Sequence, residues 1–286
     1  MSTVLLNALE LSALMIKEPT VVIDARNPTA YAAGHIPHAV NIHDIFTFLA
    51  TSTPEGLTEL KAKFAETFGA AGLSGKETAV IYEDAMNTGF GMSCRGYFLL
   101  SYLGYPKVKI LHGGYQAWLA ESLPVTTEES HPNPTTFPLA DTGNNFMIGK
   151  EEVLAALDDK TTVLLDVRDI DEWIAASSSP YGKDFCPRKG RLPNARWIEW
   201  YRLMKPGALS LFKTPEEVLA ECHTVGITKD TPVYLYCFKG ARASNTLVAL
   251  KSAGVENVKL YFGSWNEWSR DPSLPIEEGL PYAVVR

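Results

Sequence analysis

The sequence predicts an α/β fold built twice in tandem, each copy a mostly parallel sheet flanked by helices. Three observations carry this expectation. The chain repeats itself in four ordered blocks. Short runs rich in Val and Ile alternate with helical patterns in each copy. A proline-rich stretch lies between the copies. A length of 286 residues suits two domains better than one.

The first repeat block is Val21-Val-Ile-Asp24-Ala-Arg26 with Tyr31. It returns as Val163-Leu-Leu-Asp166-Val-Arg168 with Trp173, 142 residues later. The second, Gly34-His-Ile-Pro37-His-Ala39, returns as Gly190-Arg-Leu-Pro193-Asn-Ala195 after 156 residues, so the second copy carries an insertion of 14. The third, Thr78 to Asp84, matches Thr231 to Cys237 at an offset of 153. The fourth matches Gly104, Val108, Gly113 and Trp118 to Gly254, Val258, Gly263 and Trp268 at 150.

Strands are expected at 21–25, 39–42, 78–83 and 108–112, and at 163–167, 195–198, 232–236 and 257–261. Continuous apolar runs bounded by turn residues fit buried parallel strands. A helix is expected over Ala243–Ala253, with Leu247, Val248 and Leu250 on one face and Gly254 ending it. A second begins near Thr214-Pro215. Pro124, Pro132, Pro134 and Pro138 exclude a helix or central strand there. The expected domains are 1–125 and 146–286, joined by a linker at 126–145. Strand–helix alternation gathers ligand sites at the C-terminal ends of the strands.

Composition narrows the function. A net charge of −7 argues against nucleic acid and anionic membrane as partners. No apolar run reaches the roughly 18 residues of a membrane span. The first 15 residues carry Glu10 and no early basic cluster, so they do not read as a signal peptide. Cys94, Cys186, Cys222 and Cys237 include no CxxC pair, and no His, Cys or carboxylate cluster has metal-ligand spacing, so neither metal nor cofactor is expected. Few cysteines and no leader point to the reducing cytoplasm.

Cys237 stands apart. It ends a strand and precedes a helix, with Phe238-Lys239-Gly240-Ala241-Arg242-Ala243 following. The helix macrodipole, the cations Lys239 and Arg242, and a curled run of N–H groups would favour its thiolate there. The alternative for any lone cysteine is a structural core position. Cys94 is expected inside a helix, Cys222 in a helix, and Cys186 exposed in the insertion.

These residues resemble the tandem-domain rhodaneses, or sulfurtransferases, over nearly the whole chain. Asp24-Ala-Arg26, Gly34-His-Ile-Pro37, the Cys237 loop and Gly263-Ser-Trp265-Asn-Glu-Trp268 carry the likeness. The resemblance implies an inactive first domain, with Asp84 at the cysteine position, and a catalytic second domain. It implies a Cys237 persulfide that passes sulfur from a small-molecule donor to a thiophilic acceptor, such as cyanide, a thiol or a thioredoxin-like protein. The backbone of Phe238, Gly240, Ala241 and Ala243 would cradle that persulfide. Lys239, two residues after the cysteine, resembles the thiosulfate-type loop. Glu172 stands where the family's second domain has a substrate-binding arginine. Arg188, in a Pro-Arg pair resembling the mercaptopyruvate branch, is then expected to join Lys239 and Arg242 at the donor.

Donors other than thiosulfate, 3-mercaptopyruvate first, remain open. So do two readings outside sulfur transfer: a cysteine-dependent phosphatase and a non-catalytic binding or sulfur-relay module. The spacing Cys237-x4-Arg242 is one residue shorter than the phosphatase Cys-x5-Arg, a smaller cradle suited to one sulfur atom.

Overall fold

A computed structural model describes residues 4–141, 146–207 and 209–281. It divides into two compact units. The first holds Met1–Phe48, Leu57–Asn144 and Met204–Leu211; the second holds Leu49–Gly56, Asn145–Leu203 and Phe212–Arg286.

In the first unit, strands β1 (Leu5–Leu6), β2 (Thr20–Asp24), β3 (Val40–Asn41), β4 (Thr78–Tyr82) and β5 (Val108–Leu111) form a parallel sheet of order β1-β5-β4-β2-β3. Helices α1 (Ala8–Lys17), α2 (Pro28–Ala33), α3 (Asp44–Thr47), α4 (Pro54–Ala70), α5 (Met92–Tyr102) and α6 (Gly114–Ala120) lie between the strands in sequence. α1 starts where Asn7 and Glu10 cap each other, which satisfies two N–H groups that the helix itself cannot.

The second unit repeats the pattern. Strands β6 (Met147–Ile148), β7 (Val163–Asp166), β8 (Arg196–Trp197), β9 (Val233–Tyr236) and β10 (Val258–Tyr261) take the order β6-β10-β9-β7-β8, again parallel. Its helices are α7 (Lys150–Ala156), α8 (Ile170–Trp173), α9 (Pro215–His223), α10 (Ala241–Ser252) and α11 (Ser264–Trp268), with a 3-10 turn at Trp200–Leu203. α9 starts where the sequence predicts it, at Thr214-Pro215, with a Thr214–Glu217 capping box. The edge strands β1 and β6 span two residues each, too few to show a period in the sequence.

The Asp-x-Arg motifs are structural. Arg168 donates to both oxygens of Asp166 and to the Gly190 carbonyl at 2.7 Å, and Tyr236 donates to Asp166 at 2.7 Å. Arg26 repeats this with Asp24 and Gly34. Each pair ties the end of one central strand to its neighbour and to the distant Gly turn. Burial opposes the Arg168 charge, but Asp166 outweighs burial and raises the guanidinium further above its ordinary value.

The stretch expected as a linker is strapped to the first unit as far as it is described. Thr126 exchanges backbone hydrogen bonds with His35 at 2.9 and 3.0 Å, and Ala140 donates to Leu103 at 3.1 Å. Phe137 is buried against Tyr105 and Phe68. Prolines keep this segment from forming a helix, so most of its cross-links reach the domain. Residues 142–145 of the expected linker lie outside the described residues. Among the described residues, no helix is long and apolar enough to cross a membrane.

Candidate active site

β9 delivers Cys237 to the C-terminal edge of the second sheet, and Gly240 starts α10 three residues later. The thiol is only 1 % exposed. Its Sγ accepts the Gly240 N–H at 3.1 Å. The Cys237 N–H donates to the Ser264 hydroxyl at 3.2 Å, and its carbonyl accepts the Trp265 N–H at 3.0 Å. The Phe238 carbonyl accepts from Asn266 at 2.9 Å. The loop is therefore pinned to α11 on one side and to its own helix on the other. Gly240 sits at φ +88°, and a Cβ there would stand 2.8 Å from the Phe262 ring. The N–H groups of Ala241, Arg242 and Ala243, in the first turn of α10, have no acceptor within the helix. An anion at the sulfur would meet those groups and the positive end of the helix.

Cys94, Cys186 and Cys222 are all buried. Burial pushes each of them up, Cys222 to about 11, so they stay protonated and unreactive near neutrality. Cys186 is a correction: it was expected exposed, but it lies beside Asn266 and Arg270.

Two expected donor contacts are engaged elsewhere. Arg188 donates to the carbonyls of Ser269, Leu274, Trp268 and Asp271 at 2.5–2.9 Å. Its guanidinium clamps the turn after α11, so the donor role expected for Arg188 does not fit this geometry. Arg242 is 4 % exposed and forms a two-pronged pair with Glu172 at 2.6 and 3.0 Å, with Asp169 at 3.1 Å as a third contact. Burial opposes its charge, but Glu172 outweighs burial and keeps it protonated. Glu172, noted only as a departure from the family, is thus the partner of Arg242.

Lys239 is nearly buried, with Nζ 4.9 Å from the centre of the Tyr181 ring. Tyr181 and Phe185, both in the insertion, also pack on the Phe238 ring at 5.3 and 5.8 Å. In the insertion the sequence singles out Arg188 but not these aromatics. The signal available was three aromatic residues, Tyr181, Phe185 and Phe238, in segments that the repeat leaves unmatched.

The first unit also requires a correction. Tyr82 and Tyr236 are equivalent: each bonds to the Asp of its Asp-x-Arg pair. The Glu83 carbonyl accepts from Tyr115, as the Cys237 carbonyl accepts from Trp265. Glu83, not Asp84, therefore occupies the cysteine position, and Asp84 takes the place of Phe238. The Glu83 carboxylate accepts the Met92 N–H at 2.8 Å and the Ser93 hydroxyl at 2.9 Å, filling the N-terminus of α5.

Residues 7–121 and 149–271 both match the model of the rhodanese-like domain. The chain belongs to the rhodanese family. This rhodanese-family chain is 31% identical over 260 residues to the thiosulfate sulfurtransferase of Pseudomonas aeruginosa, covering 90% of each. It is 28% identical over 275 residues to that of Azotobacter vinelandii, covering 94% of each. It is also 29% identical over 255 residues to the sulfur carrier protein TtuD of Thermus thermophilus, covering 87% of each. In fold it matches the anaerobic ergothioneine biosynthesis enzyme from Chlorobium limicola, with a TM-score of 0.82 at 24% identity over 98% of this chain and 71% of that one. The family and the sulfurtransferase relatives make it a rhodanese-family sulfurtransferase.

Proposed function

We propose that the chain is a thiosulfate-type sulfurtransferase in which Cys237 carries the sulfur. The supporting observation is the Gly240 N–H directed at Sγ from the start of α10. In the first step the thiolate attacks the outer sulfur of thiosulfate. A new S–S bond forms, the old one breaks, and sulfite leaves with the electron pair. The resulting Cys–S–S⁻ lies among the N–H groups of Gly240 to Ala243, which stabilise charge that was absent before the reaction. In the second step an acceptor such as cyanide or a thiol attacks the terminal sulfur, and the Cys237 thiolate returns. Lys239 supports thiosulfate as donor, because a compact ammonium suits a sulfonate-like oxygen. With Arg188 engaged elsewhere, 3-mercaptopyruvate loses the residue that favoured it. The first unit, with Glu83 at the cysteine position, is assigned no transfer chemistry. Four free thiols fit a reducing, cytoplasmic setting.

Intact-protein mass after incubation with thiosulfate, without acceptor, tests the reading. One added sulfur atom, removed by cyanide, is expected. A phosphatase or a passive binding module would keep its mass, and an unchanged mass would set the proposal aside.

A further inference from the structure

Arg242 stands five residues after Cys237, in the first turn of the helix that would stabilise the persulfide. A free guanidinium there would attract any anionic donor. This one is not free. Both of its terminal nitrogens are engaged by Glu172, which is 1 % exposed, and one of them also meets Asp169. The two carboxylates come from the same short segment. Asp169 precedes α8, its N–H turned back toward Glu172, and the Trp200 indole N–H donates to its carboxylate at 3.2 Å. Arg168, next to Asp169 in the chain, is itself locked to Asp166. The acidic side of the contact is therefore held rigidly, and two carboxylates oppose one guanidinium; Arg242 and Glu172 are buried, where charges are poorly screened, while Asp169 is about a third exposed.

We propose that Glu172 is a positioning residue that acts through Arg242 to set the charge of the sulfur donor, disfavouring each added negative charge on the donor; this rests on the persulfide reading of Cys237. Thiosulfate carries two negative charges and an alkyl thiosulfonate carries one. Both present a transferable sulfur on a sulfonyl sulfur, so the bond broken is of the same kind. Attack by Cys237 releases sulfite from the first and a sulfinate from the second, each leaving with the electron pair. Glu172 raises the barrier for both and raises it further for the dianion.

The test compares kcat/KM for thiosulfate and methanethiosulfonate, with cyanide as acceptor. Glu172→Gln should raise the thiosulfate-to-methanethiosulfonate ratio by about tenfold, mostly through KM for thiosulfate. Glu172→Asp retains the charge and should keep the wild-type ratio, which a purely steric role would not predict. Should Glu172→Gln fail to fold, the more exposed Asp169→Asn should shift the ratio the same way by about threefold. A ratio unchanged or lowered in the folded variants, with the sulfur adduct still forming, overturns this proposal alone. No adduct in the wild type with either donor overturns the persulfide reading and this proposal with it.

Discussion

Glu83 and Cys237 occupy equivalent positions, each one residue past the tyrosine that ends the central strand of its sheet. Glu83 turns its carboxylate into the start of α5, where the Met92 N–H and the Ser93 hydroxyl donate to it. Cys237 turns its sulfur toward the start of α10. One copy thus carries its own carboxyl group at the helix terminus, while the other carries a nucleophile that becomes anionic. Loop length differs as well. Seven residues, 84–90, separate Glu83 from the capping Gly91, but only Phe238 and Lys239 separate Cys237 from Gly240.

Cys237→Ser should abolish sulfur transfer, while Cys94→Ser, Cys186→Ser and Cys222→Ser should largely retain it. Steady-state assays with thiosulfate and cyanide check this. Retained transfer in Cys237→Ser would remove the basis of the mechanism.

Lys239→Ala should lower kcat/KM for thiosulfate by about one to two decades, the equivalent of roughly 1.5–3 kcal/mol for a charge-assisted contact. Mercaptopyruvate turnover, measured in parallel, should fall less. An equal loss with both donors would mean that the lysine acts on the sulfur generally and carries no information on the donor.

Gly240→Ala should destabilise the second unit and weaken transfer together. The left-handed conformation costs a residue with a side chain roughly 1–2 kcal/mol, and the new methyl meets Phe262 at 2.8 Å. Relieving that contact moves the N–H that faces Sγ. Chemical denaturation and kcat report the two effects, and an unaffected kcat would show that the N–H is dispensable.

Arg188→Met should cost stability rather than donor affinity, because its guanidinium holds four carbonyls at and just past the end of α11. A loss of roughly 1.5–3 kcal/mol is expected from hydrogen bonds to a charged group. Urea unfolding and the KM for thiosulfate separate the alternatives, and a KM raised tenfold at unchanged stability would restore the donor role.

Burial pushes the Glu83 carboxyl up to about 8 against an ordinary 4.5. The folded protein therefore holds this proton over a pH range in which the unfolded chain has released it. The stability that Glu83 contributes is complete below pH 4.5 and is lost as pH rises through 8. Glu83→Gln should flatten that decline, as seen in urea midpoints at pH 5 and pH 8. A decline as steep as in the wild type would show that other groups cause it.

The tandem repeat, the strand positions, the start of α9 at Thr214-Pro215 and the Cys237–Gly240 turn were legible in the sequence because each rests on a local pattern. Apolar period, cap chemistry and glycine conformation act within a few residues. The equivalence of Tyr82-Glu83 with Tyr236-Cys237 was also present, yet counting from the strand starts slipped it by one residue. Only the paired strands fix that register, with Asp24 opposite Tyr82 and Asp166 opposite Tyr236. The partners of the basic residues were beyond the sequence. Arg242 meets a carboxylate 70 positions away, and Arg188 meets carbonyls 80 or more positions away. A long, flexible cation satisfies whichever acceptors the fold brings within reach, and burial makes leaving it unpaired costly. The sequence by itself determined where a nucleophile could form, and the tertiary structure decided which charges surround it.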